Sequence, residues 1–90
     1  MRILIKVTQA DINEGCRSNN NSCPVARAIA KRMDTYSRVN VYYDSYIRLY
    51  TSDNYVLKCK LPRSVLRFIK KFDKFGKKAV KPFNFYLEEI

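Results

Sequence analysis

Between Ser37 and Leu61 the apolar side chains fall at every second position, in three runs separated by short polar breaks. Val39, Val41 and Tyr43 form the first, Ile47 and Leu49 the second, and Tyr55, Leu57, Cys59 and Leu61 the third. A period of two belongs to a strand with one face buried and one wet. Asp44-Ser45 and Ser52-Asp53-Asn54 supply turn chemistry between the runs. The simplest fold for this segment is an antiparallel meander of three strands, whose apolar face must then be covered by something else in the chain.

The flanking segments provide the cover. Ile3, Ile5 and Val7 alternate as a further half-buried strand. Thr8-Gln9-Ala10-Asp11 reads as a capped helical start, with the Thr8 hydroxyl accepting a backbone N–H, and Gly15 closes a single turn. Cys16 to Ser22 is a polar loop rich in Asn and Ser, residues that tolerate left-handed backbone. Pro24 suits a first helical turn, and Val25, Ala26, Ile29, Ala30 and Met33 follow at helical spacing, so a helix is expected from Pro24 to about Asp34.

Pro62 opens a second long helix. At 100° per residue, Val65, Phe68, Ile69, Phe72 and Phe75 lie on one side of it, and Arg63, Arg67, Lys70, Lys71 and Lys74 on the other. Gly76 ends the helix, Lys77-Lys78 turns, and Phe83, Phe85 and Leu87 alternate in a last strand from Pro82 to Leu87. The expected order is β-α-β-β-β-α-β: one small α+β domain spanning residues 1–90, with about five mostly antiparallel strands and two helices on one face.

Composition narrows the function. With 47% hydrophobic and 13% aromatic residues the chain is too apolar to be a disordered tail. No run approaches the roughly 18 apolar residues of a membrane span, and Met1 to Val7 is too short and charged for a signal peptide, which suggests an intracellular protein with no membrane partner. Three cysteines without a secretory context read as reduced thiols, although a Cys16–Cys23 bridge stays open.

Chemistry is poorly served. The chain has no histidine, so the usual base near neutral pH is missing, and its eight acids are scattered. Three cysteines do not complete a structural zinc site, so no metal or cofactor is expected. Cys23, beside a helix N-terminus and near Arg17 and Arg27, is the best single nucleophile; without a partner base it reads better as a small buried cap. The expectation is a binding protein rather than an enzyme.

The charge is concentrated. Of a net +10, nearly all lies between Lys58 and Lys81, where ten basic residues stand against one acid, Asp73. Solvent-facing helices ordinarily mix signs in stabilising pairs, whereas these cations repel one another at three- and four-residue spacings. A partner that neutralises them is the natural expectation, and Arg63, Arg67, Lys70, Lys71, Lys74, Lys77 and Lys78 are its candidate contacts. A second candidate is the row Tyr46, Arg48 and Tyr50, which shares the strand face opposite Ile47 and Leu49 and suits base stacking or a protein partner. Its structural alternative is simple cover for the second face of the sheet.

Val7-Thr8-Gln9-Ala10-Asp11-Ile12, Gly15 and Cys23-Pro24-Val25-Ala26-Arg27-Ala28-Ile29 resemble the opening of a group of small tailed-bacteriophage proteins of unknown function. Leu61-Pro62, Val65, Phe68-Ile69, Phe72-Asp73, Val80, Pro82-Phe83, Phe85 and Leu87 extend the resemblance, which is weakest from Tyr36 to Tyr55. It implies an accessory protein acting in the cytoplasm of an infected bacterium, and it carries no catalytic or ligand residues. Taken with the charge, the expected function is stoichiometric binding of nucleic acid or a host nucleoprotein complex through the basic helix. The competing expectation is a protein-only inhibitor of a host enzyme or defence system, of the anti-CRISPR type, using the tyrosines and the Asn-rich loop.

Overall fold

The computed structural model describes residues 2–42, 46–53 and 56–90. Tyr43, the Asp44-Ser45 turn, Asn54 and Tyr55 lie outside the described residues. The elements are β1 (Arg2–Val7), α1 (Gln9–Glu14), α2 (Pro24–Arg32), β2 (Arg38–Val41), β3 (Tyr46–Tyr50), β4 (Val56–Lys60), α3 (Arg63–Phe75), a 3-10 turn (Lys77–Ala79) and β5 (Phe83–Glu88). The α+β class, the meander and the helices fall where the periodicity puts them.

The single expected sheet is divided in two. β2, β3 and β4 form an antiparallel meander, and β1 pairs antiparallel with β5, with Val7 opposite Phe83 and Arg2 opposite Glu88. One isolated bridge, Cys59 to Glu89, and a hydrogen bond from Ile90 N to Lys58 O at 3.0 Å join β4 to the segment that ends β5. The two sheets therefore touch along a short seam.

Alternation decides which side is dry. Ile5, Val7, Val39, Val41, Ile47, Leu49, Leu57, Cys59, Phe85 and Leu87 point into one core, which Val25, Ile29, Val65, Ile69 and Phe72 close from the helical side. Phe68 of α3 lies on Phe83 of β5 with ring centroids 4.7 Å apart, so α3 rests on the inner face of the sheet. Among the described residues the opposite face of the strands is exposed or half-buried.

The helix ends are built as the sequence implies. Thr8 and Asp11 complete a capping box: Asp11 N donates to Thr8 Oγ1 at 3.3 Å and Thr8 N donates to Asp11 Oδ2 at 2.9 Å. Cys23 caps α2, with Ala26 N donating to its Sγ at 3.5 Å, and Pro24 takes the first turn. Gly76 stops α3 at φ +88°, a conformation that only glycine adopts without strain.

Three details depart from expectation. α2 ends at Arg32, with Met33 as its cap, rather than near Asp34. Ala28 of α2 is buried where Ala30 was expected, and Ala30 is exposed. Phe75 is 63% exposed, because the last turn of α3 overhangs the core.

Candidate functional site

α3 separates its two faces cleanly. Val65, Phe68, Ile69 and Phe72 are buried, while Arg63, Arg67, Lys70, Lys71 and Lys74 are exposed, and Lys77 and Lys78 continue the exposed row through the 3-10 turn. The five cations of α3 therefore share one helix face, and Lys77 and Lys78 are exposed just beyond its end.

How the acids are used explains why the patch stays unneutralised. On α2, Lys31 Nζ lies 2.8 Å from Asp11 Oδ1, and Arg27 Nη2 lies 3.0 Å from Glu14 Oε2, so α1 supplies counter-charges to its neighbour. Glu88 serves Arg2 at 3.8 Å and Lys60 at 3.9 Å. Asp73, the single acid within the basic segment, is turned to the polar loop, where its Oδ1 accepts from Ser18 N at 2.8 Å. Among the described residues none of the seven cations is ion-paired with a carboxylate. Lys74 instead sits over the exposed Phe75 ring, 5.3 Å from its centroid.

The same loop braces the helix. Arg17 donates from Nε and Nη2 to Asp73 O at 2.9 and 2.6 Å, and from Nη2 to Lys74 O at 2.9 Å, satisfying carbonyls that the helix end leaves open. Ser18 adopts φ +54° to present its amide, and Asn19 Oδ1 accepts from Asn21 N and Ser22 N at 3.1 and 3.0 Å. Asn20 O accepts from Val41 N at 2.8 Å on β2. The Asn-rich loop is thus engaged within the molecule at three points.

Beside the basic face runs a groove of about 430 Å³ between α3 and the segment after the 3-10 turn. Arg67 and Lys71, one helical turn apart, line it together with Lys81, Ser64, Phe68 and Val80. The sequence reading omitted Lys81, Ser64 and the exposure of Phe75. Lys81 had a signal in the charge run; the other two depend on where α3 comes to rest.

The second predicted row lies elsewhere, on the open face of the meander. Arg48 is hydrogen-bonded to the Tyr46 hydroxyl and lies 3.5 Å from the Tyr50 hydroxyl, with its guanidinium 4.8 Å from the Tyr46 ring and 5.5 Å from the Tyr42 ring. Arg38 stacks on Tyr50 at 4.2 Å, and Lys58 lies 5.2 Å from Tyr46. The hydrogen bond from Arg48 holds the Tyr50 phenol below its ordinary pKa. Tyr46, Arg48 and Tyr50 therefore form one cluster, on the opposite side of the molecule from the α3 patch.

Two of the three thiols are buried. Cys16, Cys23 and Cys59 are free thiols, and only Cys16 is exposed. Burial pushes the Cys23 thiol up, reinforced by the charge of Asp73 and opposed by hydrogen bonds from nearby amides. Burial and Glu89 push Cys59 up to about 11. Among the described residues no group of three metal-binding side chains converges, and no helix is long and apolar enough to cross a membrane. In comparisons with protein-family models, curated proteins and solved structures, nothing matches the chain.

Proposed function

We propose that this protein is a non-catalytic phage accessory protein, acting in the bacterial cytoplasm, that binds nucleic acid or a host nucleoprotein complex stoichiometrically through the outer face of α3. The observation that carries this reading is the separation of charge use: Asp11, Glu14 and Glu88 pair with cations outside the row and Asp73 with an amide, while among the described residues the row from Arg63 to Lys78 has no carboxylate partner. Such a row costs helix stability through like-charge repulsion, and on binding phosphates it displaces the cations condensed on the nucleic acid. Phe75, exposed among Lys71, Lys74 and Lys78 in sequence, offers a stacking surface for a base.

The test is a variant carrying Arg67→Gln, Lys70→Gln, Lys71→Gln and Lys74→Gln. Glutamine keeps the helix propensity, so melting should be unchanged or higher by a few tenths of a kcal/mol per relieved pair. Fluorescence anisotropy with short single- and double-stranded oligonucleotides, over a salt series, should show lower affinity for unrelated sequences alike and a slope shallower by about 0.7 to 0.9 for each phosphate contact removed. Equally weak binding by both proteins would remove the nucleic-acid reading and leave a protein-directed inhibitor, whereas equal strong binding would remove only the assignment to α3.

A further inference from the structure

The outer face of the strands is itself strongly basic. Arg2, Lys6, Arg38, Arg48, Lys58 and Lys60 project from it, and among the described strand residues Glu88 is the single carboxylate on that side. The face is continuous across the two sheets, because Glu88 lies in the seam between Arg2 of β1 and Lys60 of β4. Register places Arg48 between Asn40 and Lys58, Arg38 beside Tyr50 and Tyr46 beside Lys60, so cations and tyrosines alternate across the surface. Arg2 is stacked on Tyr86 at 4.0 Å and Arg38 on Tyr50 at 4.2 Å, which holds both guanidinium groups against the sheet.

The inner residues of α3 and of the strands share one core, so this face and the outer face of α3 lie on either side of it. The molecule has principal extents of 37 × 22 × 20 Å. Duplex nucleic acid stays stiff over about 150 base pairs, so one short duplex cannot double back around a body this thin to touch both surfaces. We infer that the protein binds two nucleic-acid segments at once, one on the α3 face and one on the open sheet face, and so bridges them. The inference rests on the α3 reading above and adds to it the second surface and the joined product.

The experiment mixes donor- and acceptor-labelled duplexes of about 20 base pairs with the protein at low salt, where phosphate contacts are strong. Energy transfer should appear as protein is added and decline at large excess, when each duplex holds its own copies. A sheet-face variant, Lys6→Gln with Lys58→Gln and Lys60→Gln, should lose the transfer while its affinity for a single duplex changes by less than about threefold. These lysines are exposed, and a matching melting curve checks the fold. The α3 variant should lose transfer as well, with residual binding through the sheet. Transfer that survives in the sheet-face variant would mean that duplexes are joined by protein self-association, and the bridging inference would fall. It would fall also if the wild type joined no duplexes and the sheet-face variant bound like the wild type, which would assign the open face to a protein partner. Failure of the α3 reading looks different: single-duplex affinity would then be unchanged by the α3 variant and abolished by the sheet-face variant alone.

Discussion

Arg17 reaches the end of α3 and donates two hydrogen bonds to the carbonyl of Asp73, at 2.6 and 2.9 Å, across 56 positions of sequence. A cation at a helix C-terminus also interacts favourably with the helix dipole. Arg17→Ala should therefore lower stability by about 1 kcal/mol in a denaturant melt, and Arg17→Lys should recover only part of it, since an ammonium lacks the planar fork.

Asp73 makes a complementary case. Asp73→Asn keeps a side-chain oxygen for the Ser18 amide and removes the one acid of the basic segment. Stability should change little, while affinity for oligonucleotides should rise about two- to threefold at low salt and converge with the wild type as salt screens the added charge.

Asp11 sets an acid limit on stability. Burial raises its pKa, but hydrogen bonds from Lys31, the Thr8 amide and the Thr8 hydroxyl, with the charge of Lys31, outweigh that and hold it below the ordinary value. A depressed carboxylate contributes stability that is complete above its unfolded pKa of about 4 and is lost as pH falls toward the folded one. Asp11→Asn should cost about 1 to 3 kcal/mol at pH 7, and the gap from wild type should narrow below about pH 4, as read from urea melts.

Gly15 is required by space rather than by backbone conformation. A β carbon there would meet the Pro24 ring at 2.6 Å, where the end of α1 passes the start of α2. Gly15→Ala should cost about 1 to 3 kcal/mol in thermal unfolding, with oligonucleotide binding unchanged at a temperature where both proteins are folded.

The thiols should differ sharply in alkylation. Native protein treated with iodoacetamide near neutral pH should carry one adduct, at Cys16, by peptide mass spectrometry, and all three cysteines should react after denaturation. Rapid native labelling of Cys23 would contradict its role as a buried cap.

Local chemistry was readable in the sequence because its partners are close: Thr8 with Asp11, Pro24 at a first turn, Gly76 at a helix end, the period of two through the meander. The exposed cations of α3 were readable for the same reason, since a single helical projection places them all. What escaped depends on distant pairing. Nothing local to Arg17 indicates the end of α3 as its partner, and Phe75 has the spacing of a core residue until the helix is set on a sheet too short to cover its last turn. The separation of the basic helix from the Tyr46, Arg48 and Tyr50 row likewise becomes visible only when strands are assigned to faces.

The pairing of β1 with β5 bears on how the chain is made. A ribosome releases Ile3, Ile5 and Val7 well before Leu87, Phe85 and Phe83, the residues that lie opposite them in the register. At about 5 to 20 residues per second, the first strand waits several seconds without its mate while β2, β3 and β4 can already zip together from near neighbours. During that interval a strand with an apolar face and two unpaired edges is a target for chaperones and for other nascent chains.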